Sequence, residues 1–484
     1  HVAGSDLSGA SVGARMRDRG VGGRWSRRRA LAGIASVGVV DVLADVTATV
    51  RASTTADAAT GDRGTPETPP TVEPAGRLDL DGVTEAVVDD DGETVYCALG
   101  DGFAVVDASN PLDPTLAFVE RDLEAGADDG KRPMTAVRDV KVSGDRLLVA
   151  GPTAQPRFVS RSLKGFFLYD VSDPARPERV AFHETAFGPH NSFIRGDHVY
   201  LTGSGEFGEP VVVYDVRDDD PEEVARWSPV DAVDAWSRVP SLFRNCHDVY
   251  VHEDALYAAY WDAGTWVVDV ADPAAPTALA HLGGHDPAYL AGIDGLAAEF
   301  EERPGNSHYV QPNADASAAF VGKEALDVPR TLADGGPGGV ECWDIRALDV
   351  DGATPSVRSV LRPPAARGDR TNAGWTAHNL GVDGDRLYTS WHGGGVRAYD
   401  VADLAEPMLL GEWRAPERTW FWTAKPLDSG FVATSYLDPR YSLGAQRRGE
   451  GAVLYVFPEP SAADAVPAPT MPRREFPGAD ERDD

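Results

Sequence analysis

The stretch "GTWVVDVADP" (residues 264–273) sets a run of β-branched and aromatic residues between a glycine and an Asp-Pro stop. Residues of that kind at that density favour a pleated strand, and Asp followed by Pro ends it. Six related phrases occur in the chain: "GFAVVDASNP" (102–111), "GFFLYDVSDP" (165–174), "PVVVYDVRDDDP" (210–221), "GGVECWDIRALD" (338–349), "GGVRAYDVADLAEP" (394–407) and "GAVLYVFPEP" (451–460). Between them run phrases such as "VDGDRLYTS" (382–390), two short strands joined by a tight Gly-Asp turn. Each unit therefore holds four strands in roughly 40 to 50 residues, the period of a propeller blade.

Seven units predict an all-β chain: a seven-bladed β-propeller of four-stranded antiparallel blades over residues 76–457, interrupted by one short helix at 288–302. The last unit has only three strands of its own. "GRLDLDG" (76–82) precedes the first unit as "LLGEWRA" (409–415) precedes the seventh, so the N-terminal strand is expected to complete the last blade. That closure removes an exposed sheet edge.

The "VxDVSDP" phrase after a glycine pair resembles the LVIVD repeat of extracellular bacterial and archaeal β-propellers. The resemblance spans roughly the whole 76–457 region. It implies the fold and is nearly silent about chemistry.

Aligning the units on the Gly-Asp turn brings out a repeated histidine. His190, His247 and His378 each stand ten residues before a tyrosine, Tyr200, Tyr257 and Tyr388, and each begins the first strand of its blade. His308 joins them with a turn two residues longer. The first strands line a propeller's central channel, so the four imidazoles are expected around one mouth, with Glu85, Arg138 and about Thr423 completing the ring. Neutral imidazole binds iron, copper or zinc well, which makes this a candidate metal centre. Glu85 is the candidate base or outer acceptor, and Arg138 is expected to stand back from the cation. Asn191, Asp248 and Asn379 follow three of the histidines, but alternation along a strand would point them the other way. His183, His198 and His252 fall on outer strands or turns and are expected in solvent.

Long loops crowd the same mouth, as in "WSPVDAVDAWSRVPSLFRN" (227–245) before His247. The loops between second and third strands add Trp261, Trp391, His392, Arg440 and Tyr441 as pocket-rim candidates. Loops enlarged on one face mark the usual place for a site on such a scaffold.

Composition bounds the function. With 77 acidic and 45 basic residues, the 484-residue chain has a net charge of −32. It matches the surface of a salt-adapted, haloarchaeal-type protein and repels nucleic-acid phosphates. An apolar fraction of 42% still supports a real core. "RWSRRRALAGIASVGVVDVLADVTA" (24–48) resembles a twin-arginine export signal, with an apolar run shorter than the roughly 20 residues of a membrane span. The expected division is a signal region at 1–50, a linker at 51–75, the propeller at 76–457 and a disordered acidic tail at 458–484. The expected product is an exported, extracellular or cell-surface monomer without a transmembrane segment. Cys97, Cys246 and Cys342 are too few for a disulfide framework, although one pair is possible.

Two functional classes follow. In the first, the histidines hold iron, copper or zinc in an oxidoreductase, or in a hydrolase with Glu85 as base. Four histidines at a propeller axis are similar in arrangement to the iron site of the seven-bladed carotenoid cleavage oxygenases, without sequence similarity. In the second, the histidines are structural or line a metal-free pocket, and the rim binds a small molecule or a surface partner.

Overall fold

The computed structural model describes residues 69–471, apart from 126–132, 154–161, 219, 294–304, 326–336, 350–353, 365–374 and 437–451. The expected signal region and the rim residues Arg440 and Tyr441 lie outside the described residues.

Seven antiparallel sheets follow one another around a ring, each in simple up-and-down order. In chain order they span residues 86–121, 139–184, 192–227, 248–282, 307–361 and 380–413, with 421–458 forming the seventh. Blade seven is completed by Gly76–Asp79, whose register against the last strand runs from Gly76 opposite Val456 to Asp79 opposite Val453. The ring is closed as the sequence predicts.

The repeated phrase is the third strand of each blade. Its residues are buried almost without interruption, as in Thr265–Asp269, because neighbouring blades stack on both of its faces. Its terminal aspartate stops the strand by turning back on the chain: Asp269 Oδ1 accepts from the Ala271 N–H at 2.9 Å and Asp170 Oδ1 from the Ser172 N–H at 2.9 Å. Asp107, Asp215, Asp344 and Asp400 do the same, so the aspartate recurs because six of the seven blades make the same turn. Six blades also carry a bulge between the third and fourth strands, which sharpens the twist of the blade edge.

Two segments differ from their expected state. Val466–Pro467 adds a fifth strand to blade six by pairing with Met408 and Leu409, so part of the expected tail belongs to the body. At the other end Thr71 bridges Glu412 and Val72 is buried, placing the end of the expected linker on blade six. Of the predicted helix at 288–302, the described part is a single turn, Pro287–Ala291, capped by Asp286, and residues 294–302 lie outside the described residues. The three cysteines are free and buried. No helix among the described residues is long and apolar enough to cross a membrane.

Candidate metal centre

In blades one, four, five, six and seven the first strand begins with two residues that share one position on its neighbour. In blade five a register shift falls between Ser307 and Tyr309, leaving His308 as the bulged residue. Blade seven has the same shift around Trp422. In blade six the Ser390 backbone serves both residues, accepting from the His378 N–H at 3.0 Å and donating to the Asn379 carbonyl. Bulges re-aim side chains. Both residues of each pair can therefore turn towards the axis, which strict alternation forbids.

Two layers result. The outer, counted from equivalent backbone bonds such as His247 N–H to Ala259 O (2.8 Å) and Thr84 N–H to Ala98 O (2.9 Å), holds Thr84, Arg138, His190, His247, His308, His378 and Trp422. The inner holds Glu85, Asp139, Asn191, Asp248, Tyr309, Asn379 and Thr423. Glu85 and Thr423 thus sit one residue deeper than the sequence alignment places them, Glu85 because the four-residue turn of blade one hides the true register and Thr423 because the bulged residue of blade seven is Trp422. Glu85 accepts from Asn379 Nδ2 and from Thr423 Oγ1 at 3.2 Å, with Lys425 Nζ 3.7 Å away. Asn191 likewise donates to the His247 carbonyl at 2.7 Å, so these polar residues do support the histidine layer.

The outer layer brings the histidines together. Ring centroids stand 4.2 Å apart for His190 and His247, 4.0 Å for His247 and His308, and 4.3 Å for His308 and His378. His392 extends the row, 4.4 Å from His378. Arg138 lies over the Trp422 ring at 5.7 Å, at the end of the layer near His190.

Ligand geometry selects a subset. His247, His308 and Glu324 form one set whose ligand atoms all lie within 4.8 Å of one another, and Glu324, His378 and His392 form a second. All five are buried, at 2 to 7% exposure. His190 belongs to neither set. Glu85, the expected acceptor, belongs to neither set, and the carboxylate common to both is Glu324, which the alignment of first strands missed. Glu324 and His392 instead occupy matching positions just beyond the second strands, as does Trp261. That repeated second position, marked by "GKE" and "SWHG", was the available signal.

Local backbone structure fixes this second set. Trp261 and His392 both adopt left-handed backbone conformations, φ 39° and 46°. Such non-glycine conformations cost on the order of 1–3 kcal/mol and concentrate at functional sites. A glycine closes each loop: at Gly264 and Gly395 (φ 78° and 93°) an added Cβ would lie 2.5 and 2.1 Å from backbone oxygens. Trp261 then stands against His247 at 4.6 Å, and Trp420 stacks on His392 at 5.1 Å. Trp391, expected on the rim, is fully buried in the blade, donating to Thr389 Oγ1. His183 and His252 are likewise only partly exposed, His183 lying 4.8 Å from Tyr214.

Protonation follows from burial. Desolvation holds His247, His308 and His378 well below the usual imidazole range, helped by the neighbouring rings. His190 falls to about 4, through burial and then Arg138. Carbonyls pin the tautomers: His247 Nδ1 faces the His308 oxygen at 3.1 Å, His378 Nδ1 the Trp422 oxygen at 2.6 Å, and His392 Nδ1 the Phe421 oxygen at 3.1 Å. In each ring Nδ1 must carry the proton, leaving the Nε2 lone pair for a ligand. His392 Nε2 nevertheless faces Glu324 Oε1 at 3.0 Å. Two acceptors so placed need a positive particle between them, a proton or a metal ion. His308 Nε2 stands 3.3 Å from Glu324 Oε2, and its buried Nδ1 has no hydrogen-bond partner among the described residues. Neutral imidazoles, pinned tautomers and one shared carboxylate fit a first-row transition ion.

Sequence comparison points to the same architecture. The LVIVD repeat profile matches residues 91–119 and 244–280, in blades one and four, the second stretch including His247. Two stretches of the chain thus match the LVIVD repeat model, and the chain folds as a seven-bladed propeller. No curated protein sequence matches it. Among solved structures, this propeller is similar to U3-55K, with a TM-score of 0.54 and 12% identity over 80% of this chain and 99% of that one. It is also similar to the RRP9 WD40 repeats, with a TM-score of 0.54 and 11% identity over 81% and 99% of the two chains. At that identity the likeness concerns the fold alone.

Proposed function

We propose that this LVIVD propeller is an exported, metal-dependent oxidoreductase whose iron, copper or zinc-type site is built by His247, His308, His378, His392 and Glu324. The observation that carries the reading is the Glu324 carboxylate: it faces two buried imidazole nitrogens, one of which has its proton committed elsewhere. A bound transition ion would supply Lewis acidity or electron transfer there.

The chain's own residues define what that ion would meet. Backbone carbonyls hold the imidazole planes, so the ligand nitrogens need little reorganisation. Trp261, Trp420 and Trp422 form an indole wall against His247, His392 and His378. An imidazole-rich centre with an apolar wall suits redox tuning. The hydrolytic alternative loses its base, because Glu85 is already engaged by Asn379 and Thr423 and stands beside Lys425. Export is supported by Arg27-Arg28-Arg29 and the apolar run after them, and salt adaptation by the net charge of −32.

Elemental analysis of protein purified in molar salt tests the reading. Iron or copper is expected at one or more ions per chain, with an absorption change on anaerobic reduction that air reverses. His308→Ala should lose the metal, whereas His252→Ala, at the far turn of blade four, should keep it. Zinc alone would leave a non-redox centre, and metal-free protein would favour the binding-propeller reading.

A further inference from the structure

We propose that Glu324 bridges two metal ions, one held with His247 and His308 and the other with His378 and His392. This rests on the metal reading above and extends it from one ion to two.

The division is geometric. The five side chains do not form one mutually close set but two, with Glu324 common to both. Its oxygens are divided in the same way: Oε2 lies 3.3 Å from His308 Nε2, and Oε1 lies 3.0 Å from His392 Nε2. Two ligand atoms bound to one ion at roughly 2.0–2.1 Å stand about 2.8–3.4 Å apart for angles between square and tetrahedral. Each oxygen therefore sits at the spacing expected for sharing an ion with a different histidine. A carboxylate that gives one oxygen to each of two ions spans the roughly 3.5–4 Å separation common in two-metal sites.

The tautomers agree with the division. His247 and His378 each commit Nδ1 to a backbone carbonyl, leaving one Nε2 per ion besides the nitrogen that meets Glu324. Each ion would then have two imidazoles and one carboxylate oxygen from the protein, with further positions open to solvent or substrate. The pairs come from adjacent structural units in sequence around the ring: blades four and five supply the first, blade six the second. Glu324, at the end of the second strand of blade five, lies between them.

The test uses the full chain, stripped with chelator and titrated in molar potassium chloride, first with zinc(II) and then with cobalt(II). Two zinc ions per chain are expected after desalting. His247→Gln and His392→Gln should each retain one, Glu324→Gln at most one, and His252→Gln both. Cobalt provides a readout that does not depend on variant folding. The spin-resonance signal should grow with the first equivalent and shrink with the second, as the two spins couple through the carboxylate. One ion per chain in the unmodified protein overturns the bridge and leaves the metal reading intact. No ion overturns both. Two equivalents whose signals simply add also overturn the bridge, since they would mark independent binding, including adventitious binding to the acidic surface.

Discussion

A buried imidazole held neutral makes stability depend on pH. His190 titrates at about 4 in the folded chain, and His247, His308 and His378 are also lowered, while an unfolded histidine titrates near 6.5. Below the unfolded value the unfolded chain binds more protons, so these groups stabilise the fold above about pH 6.5 and that contribution is lost as pH falls towards 4. Each proton of difference gives a slope of about 1.4 kcal/mol per pH unit. Denaturant unfolding of metal-free protein should thus show stability falling steeply from pH 6.5 to 4.5, and His190→Gln should reduce that slope by about one proton. A flat profile over that window would mean the rings are not desolvated. Three residues of the two sets, His247, His308 and His378, were legible in the sequence because their spacing to a recurrent turn repeats within the chain. Glu324 was not, because its position is defined by the end of a different strand, and His392 was read only as rim. Glu85 was placed one residue too shallow because the longer turn of blade one, Asp89 to Thr94, breaks the count.

At the scale of the element, the strand phrases carried almost the whole architecture. A third strand buried on both faces reads as an unbroken apolar run ended by a turning aspartate, and that pattern survives single-sequence reading. The bulge at the start of most first strands left no such mark, since it depends on which neighbour's carbonyls the pair shares. Closure is the element most open to a direct test. Gly76–Asp79 pairs along its length with the last strand, and Leu80 packs in one cluster with Val83, Leu454 and Val456. Truncation through Asp81 removes that strand and leaves an unpaired edge; losing Leu80 alone should cost roughly 2–5 kcal/mol. The truncated chain is expected to melt well below the full chain in equal salt and to associate through the open edge. Identical melting of the two would show that blade seven needs no partner strand.

For the molecule as a whole, charge and ring geometry act together. A net charge of −32 opposes compaction, and salt shortens the screening length from ~10 Å at 0.1 M to ~3 Å at 1 M. Stability should therefore rise from tens of millimolar to molar potassium chloride, measured as the denaturation midpoint; an unchanged midpoint would contradict a salt-adapted surface. Blades four, five and six together set four histidines around the Glu324 carboxylate. The proposed site is thus a property of the assembled propeller, not of any blade. The most direct measurement is anomalous diffraction from crystals grown in molar salt, with data on either side of the absorption edge of the metal found by elemental analysis. Anomalous density is predicted between the Glu324 carboxylate and the Nε2 atoms of His247, His308, His378 and His392, within roughly 2.0–2.3 Å of its ligands. A map with no anomalous peak there, and the five side chains bonded only to one another and to water, would contradict the metal centre.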